Sequence, residues 1–497
     1  MKDTNLSIHD PFFEARDFLN GLIDMLCTPK WLQAEHGEVE QRIHEDGFEV
    51  MRLVLQGYLD ERAGQEAEFD SVRHDSREHT HKRKNCPRQL NSIFGKVISH
   101  RRSYSDGGVN SIFPQDAQLN LPTSDQYSDG LRRQIAFAVS DQSFDKASES
   151  ISRNTATTVP KRQVENITRH LSQSFDAFYK SRQVEDCDTS DLLALTCDGK
   201  GVVMRQEDLR PATQKAAKAS KHKKQTRLSK GEKRNRKRMA TVASVYDIAP
   251  HSRSADSVIG SKEEHSRSPK PDNKRVWASV EKSPRDVIKD MFAEARRRDP
   301  NQQREWVVLM DGHPTQLKTL RKVMKKQEIK ATIVLDFIHV LEYLWKAAYC
   351  FCDESSQEAE DWVKERALKV LNGEAAQVAA GIRRSSTKRN LNPKERKNAD
   401  KCSDYLLKYK NYLQYDKYLQ AGYPIATGVI EGACRYLIKD RMDITGARWR
   451  LQGAEAVIKL RAIITSHDFE EYFKFYKNQE RIKNYPFYEK IAYKMAA

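Results

Sequence analysis

Two apolar runs in this 497-residue chain end in the same way. Leu192-Leu193-Ala194-Leu195-Thr196-Cys197 runs into Asp198-Gly199, and Trp306-Val307-Val308-Leu309-Met310 runs into Asp311-Gly312. A carboxylate at the mouth of a buried strand sits on a rigid support, and the following Gly leaves room for backbone or ligand to approach. One Asp-Gly at a strand end is an ordinary turn. Two from one sheet can share a divalent cation, and oxygen ligands of this kind suit Mg²⁺ or Mn²⁺ rather than Zn²⁺. A third acid lies in Thr427-Gly428-Val429-Ile430-Glu431-Gly432-Ala433-Cys434-Arg435. Thr427 suits a helix cap and Glu431 sits one turn inside. In an α-helix Glu431, Arg435 and Ile438 share a face by i, i+4, i+7 spacing. A Glu among small and apolar neighbours is costly to bury alone. A metal ion is one solution, and an ion pair with Arg435 is the other.

The elements that position these acids follow from apolar runs of strand length, rich in β-branched residues. They are Leu192–Cys197, Ala240–Tyr246, Arg275–Val280, Trp306–Met310 and Thr332–Leu335. Helical segments Arg285–Arg298 and Thr315–Lys326 separate the last three. Three consecutive strands, then strands alternating with helices, predict a five-stranded mixed sheet covered by helices. From Trp345 to Gly422 the chain reads as almost all helix. Trp362, Val363, Leu368, Val370 and Leu371 make its apolar stripe.

The N-terminal half reads differently. Pro11–Gly64 is helical, and Phe94–Tyr104 alternates like a strand up to the turn at Asp106-Gly107-Gly108. Ser71–Leu90 is polar and rich in His. Its His74, His79, His81 and Cys86 could bind Zn²⁺, but their spacing matches no standard finger. Ser143–Asn154 suggests a short helix, followed by a Thr-rich turn and a longer helix from Val159, with Pro160 in its first turn. This is a helix-turn-helix pattern. Lys161, Arg162, Gln163, Asn166 and Arg169 lie on its second helix, where groups that read bases and bind phosphates belong. A helical hairpin with no such role has the same pattern.

The 86 Lys+Arg against 70 Asp+Glu give a net charge of +16. From Gln214 to Arg238 there are 12 Lys/Arg and one acid, so this stretch alone contributes +11. Lys223, Lys224, Arg234, Arg236, Lys237 and Arg238 are its densest part. Like charges of this density repel, which predicts a solvated arm that binds polyanions or a charged loop without a partner. Trp449, between Arg448 and Arg450, suits either stacking on a displaced base or anchoring a helix in the core. No stretch is apolar enough to span a membrane, and the N-terminal residues carry no apolar signal region. Eight cysteines without a CxxC pair fit a reduced, cytoplasmic protein rather than a disulfide scaffold.

With Asp198, Asp311 and Glu431 in this strand order, the sequence resembles the RNase H-like catalytic core of DDE transposases. Asp336-Phe337-Ile338-His339 is similar to the Asp-x-x-His element of Mutator-like transposases. Gly428–Arg461, with Ile430-Glu431-Gly432, Arg448-Trp449 and Leu460-Arg461-Ala462, resembles bacterial insertion-sequence transposases of the ISKra type. Phe94-Gly95-Lys96-Val97 and Tyr127-Ser128-Asp129-Gly130-Leu131-Arg132 resemble them too. Where some relatives carry paired zinc-knuckle cysteines, this chain has Cys86 alone.

The resemblance implies an RNase H-like core interrupted by an all-α insertion and preceded by a mainly helical half. The expected segments are 1–125 (helices and a short hairpin), 126–185 (helix-turn-helix), 186–345 (core), 346–422 (insertion) and 423–497 (core helices and tail). It implies two Mg²⁺ (or Mn²⁺) ions held by Asp198, Asp311 and Glu431, with Asp336, His339 and Arg435 in support. The implied activity is cleavage and transfer of DNA strands at the terminal inverted repeats of a bacterial insertion sequence, by a dimer or larger multimer on DNA. A structure-selective nuclease with the same core, or a DNA-binding protein descended from a transposase, are the alternatives.

Overall fold

The computed structural model describes residues 10–74, 77–107, 111–182, 190–219, 236–259, 269–444, 446–485 and 492–495. The chain divides into two units: Ser181–His467 form one, and Met1–Lys180 with Asp468–Ala497 form the other.

The Ser181–His467 unit is built on a five-stranded mixed sheet. Its strands are β1 (Leu192–Val203), β2 (Lys237–Ile248), β3 (Asp272–Ser279), β4 (Trp306–Met310) and β5 (Thr332–Leu335). Their spatial order is β3-β2-β1-β4-β5. The β1–β2 and β2–β3 pairs are antiparallel, and the β1–β4 and β4–β5 pairs are parallel. All five residues of β4 are buried, as are Leu193, Ala194 and Leu195 of β1. Such continuous apolar runs are what a strand covered on both faces requires.

Two crossover helices join β3 to β4 and β4 to β5, Pro284–Arg298 and Pro314–Lys326. Both start on proline, which lacks the N–H that a first turn leaves unpaired. The Ser283 hydroxyl caps the first of them, accepting from the Asp286 N–H at 3.3 Å. Its Val287, Ile288, Met291, Phe292 and Ala295 are all buried.

β1 and β2 are longer than the apolar runs predict. Gly199–Val203 pairs with Lys237–Thr241 beyond Asp198. Gly199-Lys200-Gly201 looks like a turn in the sequence. In the sheet, a Cβ at Gly201 would stand 2.8 Å from the Lys237 side chain, so glycine lets the strands close.

After β5 come the helix Phe337–Ala348 and four more: Gln357–Leu371, Ala375–Lys388, Lys397–Tyr409 and Tyr415–Gln420. The last is tied to the sheet by the Tyr415 hydroxyl, which donates to the Leu335 carbonyl at 2.7 Å.

In the other unit, Pro11–Gly64 is three helices, Phe13–Leu26, Pro29–Leu32 and His36–Gly64. The polar stretch before residue 92 forms strands, including a long antiparallel hairpin of His81–Ser92 with Gly95–Ser105. Leu59, Leu90, Val97 and Leu121 form its small core. Asp129–Asp141, Phe144–Asn154 and Lys161–Leu171 pack as three helices, burying Leu131, Ile135, Val139, Ile151, Val164 and Ile167. The C-terminal helix Phe469–Asn484 belongs to this unit, not to the sheet. The sequence alone attaches all of 423–497 to the core. The Tyr472 hydroxyl donating to the Leu171 carbonyl, and the Tyr179 hydroxyl donating to Asp468 at 2.7 Å, set that helix with the N-terminal half instead. Among the described residues, no helix is long and apolar enough to cross a membrane.

Candidate active site and nucleic-acid interface

The parallel pairing sets the acids in a row. β1 and β4 pair Thr196 with Leu309, so the same offset, 309 − 196 = 113, sets Asp198 level with Asp311. β4 and β5 pair Met310 with Leu335, and that offset, 335 − 310 = 25, sets Asp311 level with Asp336. Three acids thus stand at the same end of three neighbouring strands, which in any sheet lie about 4.8 Å apart. Asp198 and Asp311 are half-buried, and Asp336 is buried.

Each takes up different partners. Asp198 accepts the Gly199 N–H at 2.6 Å on one oxygen and the Cys434 thiol at 3.3 Å on the other. Asp311 accepts the His313 N–H at 2.9 Å, and Gly312 turns the chain there at a φ of +80°. Asp336 has both oxygens bonded within the protein, to Thr427 and to the Ile338 N–H.

Glu431 lies exposed on the helix Gly428–Ala433, which packs over β1 and β2. That helix opens into a π-helical turn, Cys434–Lys439. The wider turn breaks the face expected for an α-helix: Glu431 and Arg435 are exposed while Ile438 is buried. Arg435 faces Asp440 at 3.8 Å, so the ion pair considered for Glu431 is not formed with it. The π turn brings Cys434 onto Asp198. π-helical turns inside α-helices are frequent at functional sites.

Two thiols register the charge of the three acids. Burial pushes the Cys197 thiol up to about 12, the Gln316 amide opposes this, and Asp198 and Asp311 add to it. Burial also pushes the Cys434 thiol up, Asp198 adds to this by charge and by hydrogen bond, Lys200 opposes it and Glu431 adds to it. Both thiols therefore stay protonated, and Cys434 is a donor to Asp198. Cys434 and Gln316 carry no signal in the sequence that sets them beside β1, and none shows that Thr427 reaches Asp336. Only the fold collects them.

Among the described residues, no Lys or Arg is ion-paired with Asp198, Asp311 or Glu431. This end of the sheet therefore concentrates uncompensated carboxylates, the donor chemistry a hard divalent cation requires. Among the same residues, no three His, Cys, Asp or Glu side chains stand close enough to hold one ion. The acids share a region without forming a finished cage. His339 lies beside Tyr343 and Tyr405 and faces Glu342 at 3.8 Å.

In the helix-turn-helix, Ser143 caps Phe144–Asn154, and Pro160 stands just before Lys161–Leu171 instead of inside it. The second helix has 11 residues, as many as the first. Arg162 and Arg169 are exposed, Gln163 and Asn166 half-buried. Lys161 pairs with Asp145 at 2.7 Å, and Arg169 donates to Asn166.

Lys223, Lys224 and Arg234 fall outside the described residues. Of the others, Lys237 is exposed, and Arg236 donates to the Gln206 side chain at 3.1 Å. Arg238 is engaged by the fold: its guanidinium donates to the carbonyls of Val280 and Asp208 at 2.7 and 3.1 Å.

Trp449 is a core residue, which corrects the base-stacking expectation. It is 7% exposed, its indole N–H donates to the Met442 carbonyl at 3.0 Å, and Arg441 lies 4.8 Å over its ring. Its backbone N–H donates to the Val203 carbonyl at 3.0 Å, which fastens the segment to the end of β1. Arg448 beside it is exposed. Of the His-rich stretch, His79 is buried, and Cys86 contacts the Ser103 hydroxyl at 3.4 Å.

No family model matches the chain, and no curated protein matches it. Among solved structures, a Drosophila P element transposase strand transfer complex is similar over 70% of this chain and 80% of that one. Identity is 11% and the TM-score is 0.23, a likeness too loose to define a shared fold.

Proposed function

We propose that this chain is a DNA transposase whose sheet is an RNase H-like core and whose catalytic acids are Asp198, Asp311 and Glu431. The observation that carries this reading is the sheet itself. In the order β3-β2-β1-β4-β5, Asp198 within β1 stands level with Asp311 just past the end of β4, and the helical segment bearing Glu431 contacts Asp198 through Cys434.

Asp198, Asp311 and Glu431 are the residues that would hold two Mg²⁺ (or Mn²⁺) ions. When bound, such ions polarise a phosphodiester and lower the pKa of an attacking water or 3′-hydroxyl. The protein's own part is to hold Asp198 and Asp311 on neighbouring strands of a buried sheet and Glu431 on the helix that packs over it. No Lys or Arg of the chain is needed as a base.

The remaining features supply binding. β1 and β2 extend five residues past Asp198, and most of the basic stretch 214–238 lies between them in the sequence. Its cations neutralise phosphates without reading sequence. Arg162, Gln163 and Asn166 on Lys161–Leu171 would be the groups that read bases.

The test is incubation with Mg²⁺ and DNA carrying the ends of the element that encodes the chain. Cleavage at the ends followed by joining to target DNA is expected. Cleavage without joining would make the protein a nuclease. Tight binding of the ends without cleavage would make it a DNA-binding descendant of a transposase.

A further inference from the structure

Asp336 is 2% exposed, and a carboxylate so buried is costly unless its oxygens are bonded. One of its bonds, from the Ile338 N–H at 3.1 Å, caps its own helix, and the others lead to one place. Oδ2 accepts the Thr427 hydroxyl at 2.7 Å, and Oδ1 accepts the Thr427 backbone N–H at 3.2 Å. Next door, the Phe337 N–H donates to the Ile425 carbonyl at 2.8 Å. Three hydrogen bonds thus stitch the end of β5 to residues 425–427.

Thr427 immediately precedes the helix that carries Glu431, and the Glu431 N–H donates to the Thr427 carbonyl at 3.1 Å. A threonine at that position ordinarily turns its hydroxyl inward to cap its own helix. Thr427 makes no such cap; its hydroxyl goes to Asp336. The helix beyond it runs through the π turn to Met442, 15 residues in all. Even at that length a helix alone is marginal in water, so its position comes from packing and anchors.

We propose that Asp336 is a positioning residue: it places Glu431 through Thr427 and is not itself a metal ligand. Its two oxygens are used by the protein, unlike those of Asp311 one strand away. The consequence for Glu431 rests on the acid-site reading above. The clamp itself does not.

Two measurements on Thr427→Val, Thr427→Ser, Asp336→Asn and the Thr427→Val/Asp336→Asn double variant separate those layers. The first is native-state hydrogen exchange of the amides of 429–433 in the metal-free full chain. Thr427→Val and Asp336→Asn should each speed exchange about tenfold, since the first removes the hydroxyl donor and the second removes the charge and one of the two acceptor oxygens. Thr427→Ser keeps the hydroxyl and should stay within about twofold of the parent. The double variant should exchange no faster than either single one, because both remove the same interaction.

The second measurement is the Mn²⁺ concentration that half-saturates each variant, read by metal-induced thermal stabilisation. It should rise by a similar factor in Thr427→Val and Asp336→Asn and return to the parent value in Thr427→Ser. Unchanged exchange in Thr427→Val overturns the proposal. So does loss of Mn²⁺ binding in Asp336→Asn but not in Thr427→Val, which would make Asp336 a ligand. If the exchange pattern appears but the parent chain binds no Mn²⁺, the clamp stands and the acid-site reading fails.

Discussion

Asp198 answers to two demands. It continues a buried strand, and it keeps a carboxylate half-exposed beside a thiol donor. Replacing it with Asn preserves shape and one acceptor, turns the other oxygen into a donor, and removes the charge. Asp198→Asn should therefore abolish Mg²⁺-dependent cleavage while DNA affinity, measured by fluorescence anisotropy, changes less than about twofold, because affinity rests on cations elsewhere. Cleavage surviving at ordinary Mg²⁺ would remove Asp198 from the site. Trp449 is the opposite case. Two arginines around a Trp read equally well as a base platform or a core anchor, and only burial decides between them. Trp449→Ala should cost about 3–5 kcal/mol in chemical denaturation, as for other large buried aromatics. A stable variant with weakened DNA binding would restore the platform. Asp198 and Asp311 were legible in the sequence because each follows an unbroken apolar run. Thr427 and Cys434 were not, because what matters about them is which distant strand end they touch.

Elements were legible where burial leaves a pattern. β4 and β5 begin and end where the apolar runs do, since strands covered on both faces show no polar interruption. The extension of β1 and β2 was hidden by Gly199-Lys200-Gly201, and the π turn leaves no trace in spacing. A short hairpin was expected in this half, but its first strand, His81–Ser92, was hidden by its Lys, Arg and His residues, since a strand solvated on one face needs few apolar ones. Beside that hairpin, Glu66 accepts the Arg102 N–H at 2.7 Å. Burial raises its carboxyl to about 7, against the lowering effect of Arg102. A group whose folded pKa is raised favours the folded state while protonated. Its contribution is complete below about 4.5 and lost as pH rises through about 7. Melting followed from pH 4.5 to pH 8 should show this loss in the parent, and Glu66→Gln should flatten it. An equal slope in the variant would assign the loss to other groups.

The arm is an element whose role follows from charge alone. If about half of the ten cations in residues 214–236 meet phosphates, deleting that stretch should reduce the slope of log K against log salt by roughly 4–5. Affinity for cognate and scrambled DNA should fall together. A loss confined to cognate DNA, with the slope unchanged, would mean that the arm reads sequence.

At the scale of the whole molecule, the chain returns at its end to where it began. After the sheet and its helices close at His467, Phe469–Asn484 packs into the unit formed by the first 180 residues. Phe469, Tyr472, Phe473 and Tyr476 are all buried there, and Phe178 meets the Tyr472 ring edge-on at 5.4 Å. The Tyr472 hydroxyl satisfies the Leu171 carbonyl at the end of the proposed reading helix. Nothing in the local sequence of 469–484 shows this, since an amphipathic helix pairs equally well with any apolar surface. The consequence is a coupling between the end of the chain and the helix-turn-helix. Each buried aromatic is worth about 3–5 kcal/mol when truncated, so losing four exceeds the stability of most domains, about 5–15 kcal/mol in all. Removing residues 468–497 should therefore unfold the three-helix cluster and abolish preference for cognate over scrambled DNA. The sheet unit keeps its own core and should retain its own melting transition. The measurement is calorimetry of the truncated chain beside binding to both DNAs. Retained preference for cognate DNA would show that the three helices stand without their C-terminal support.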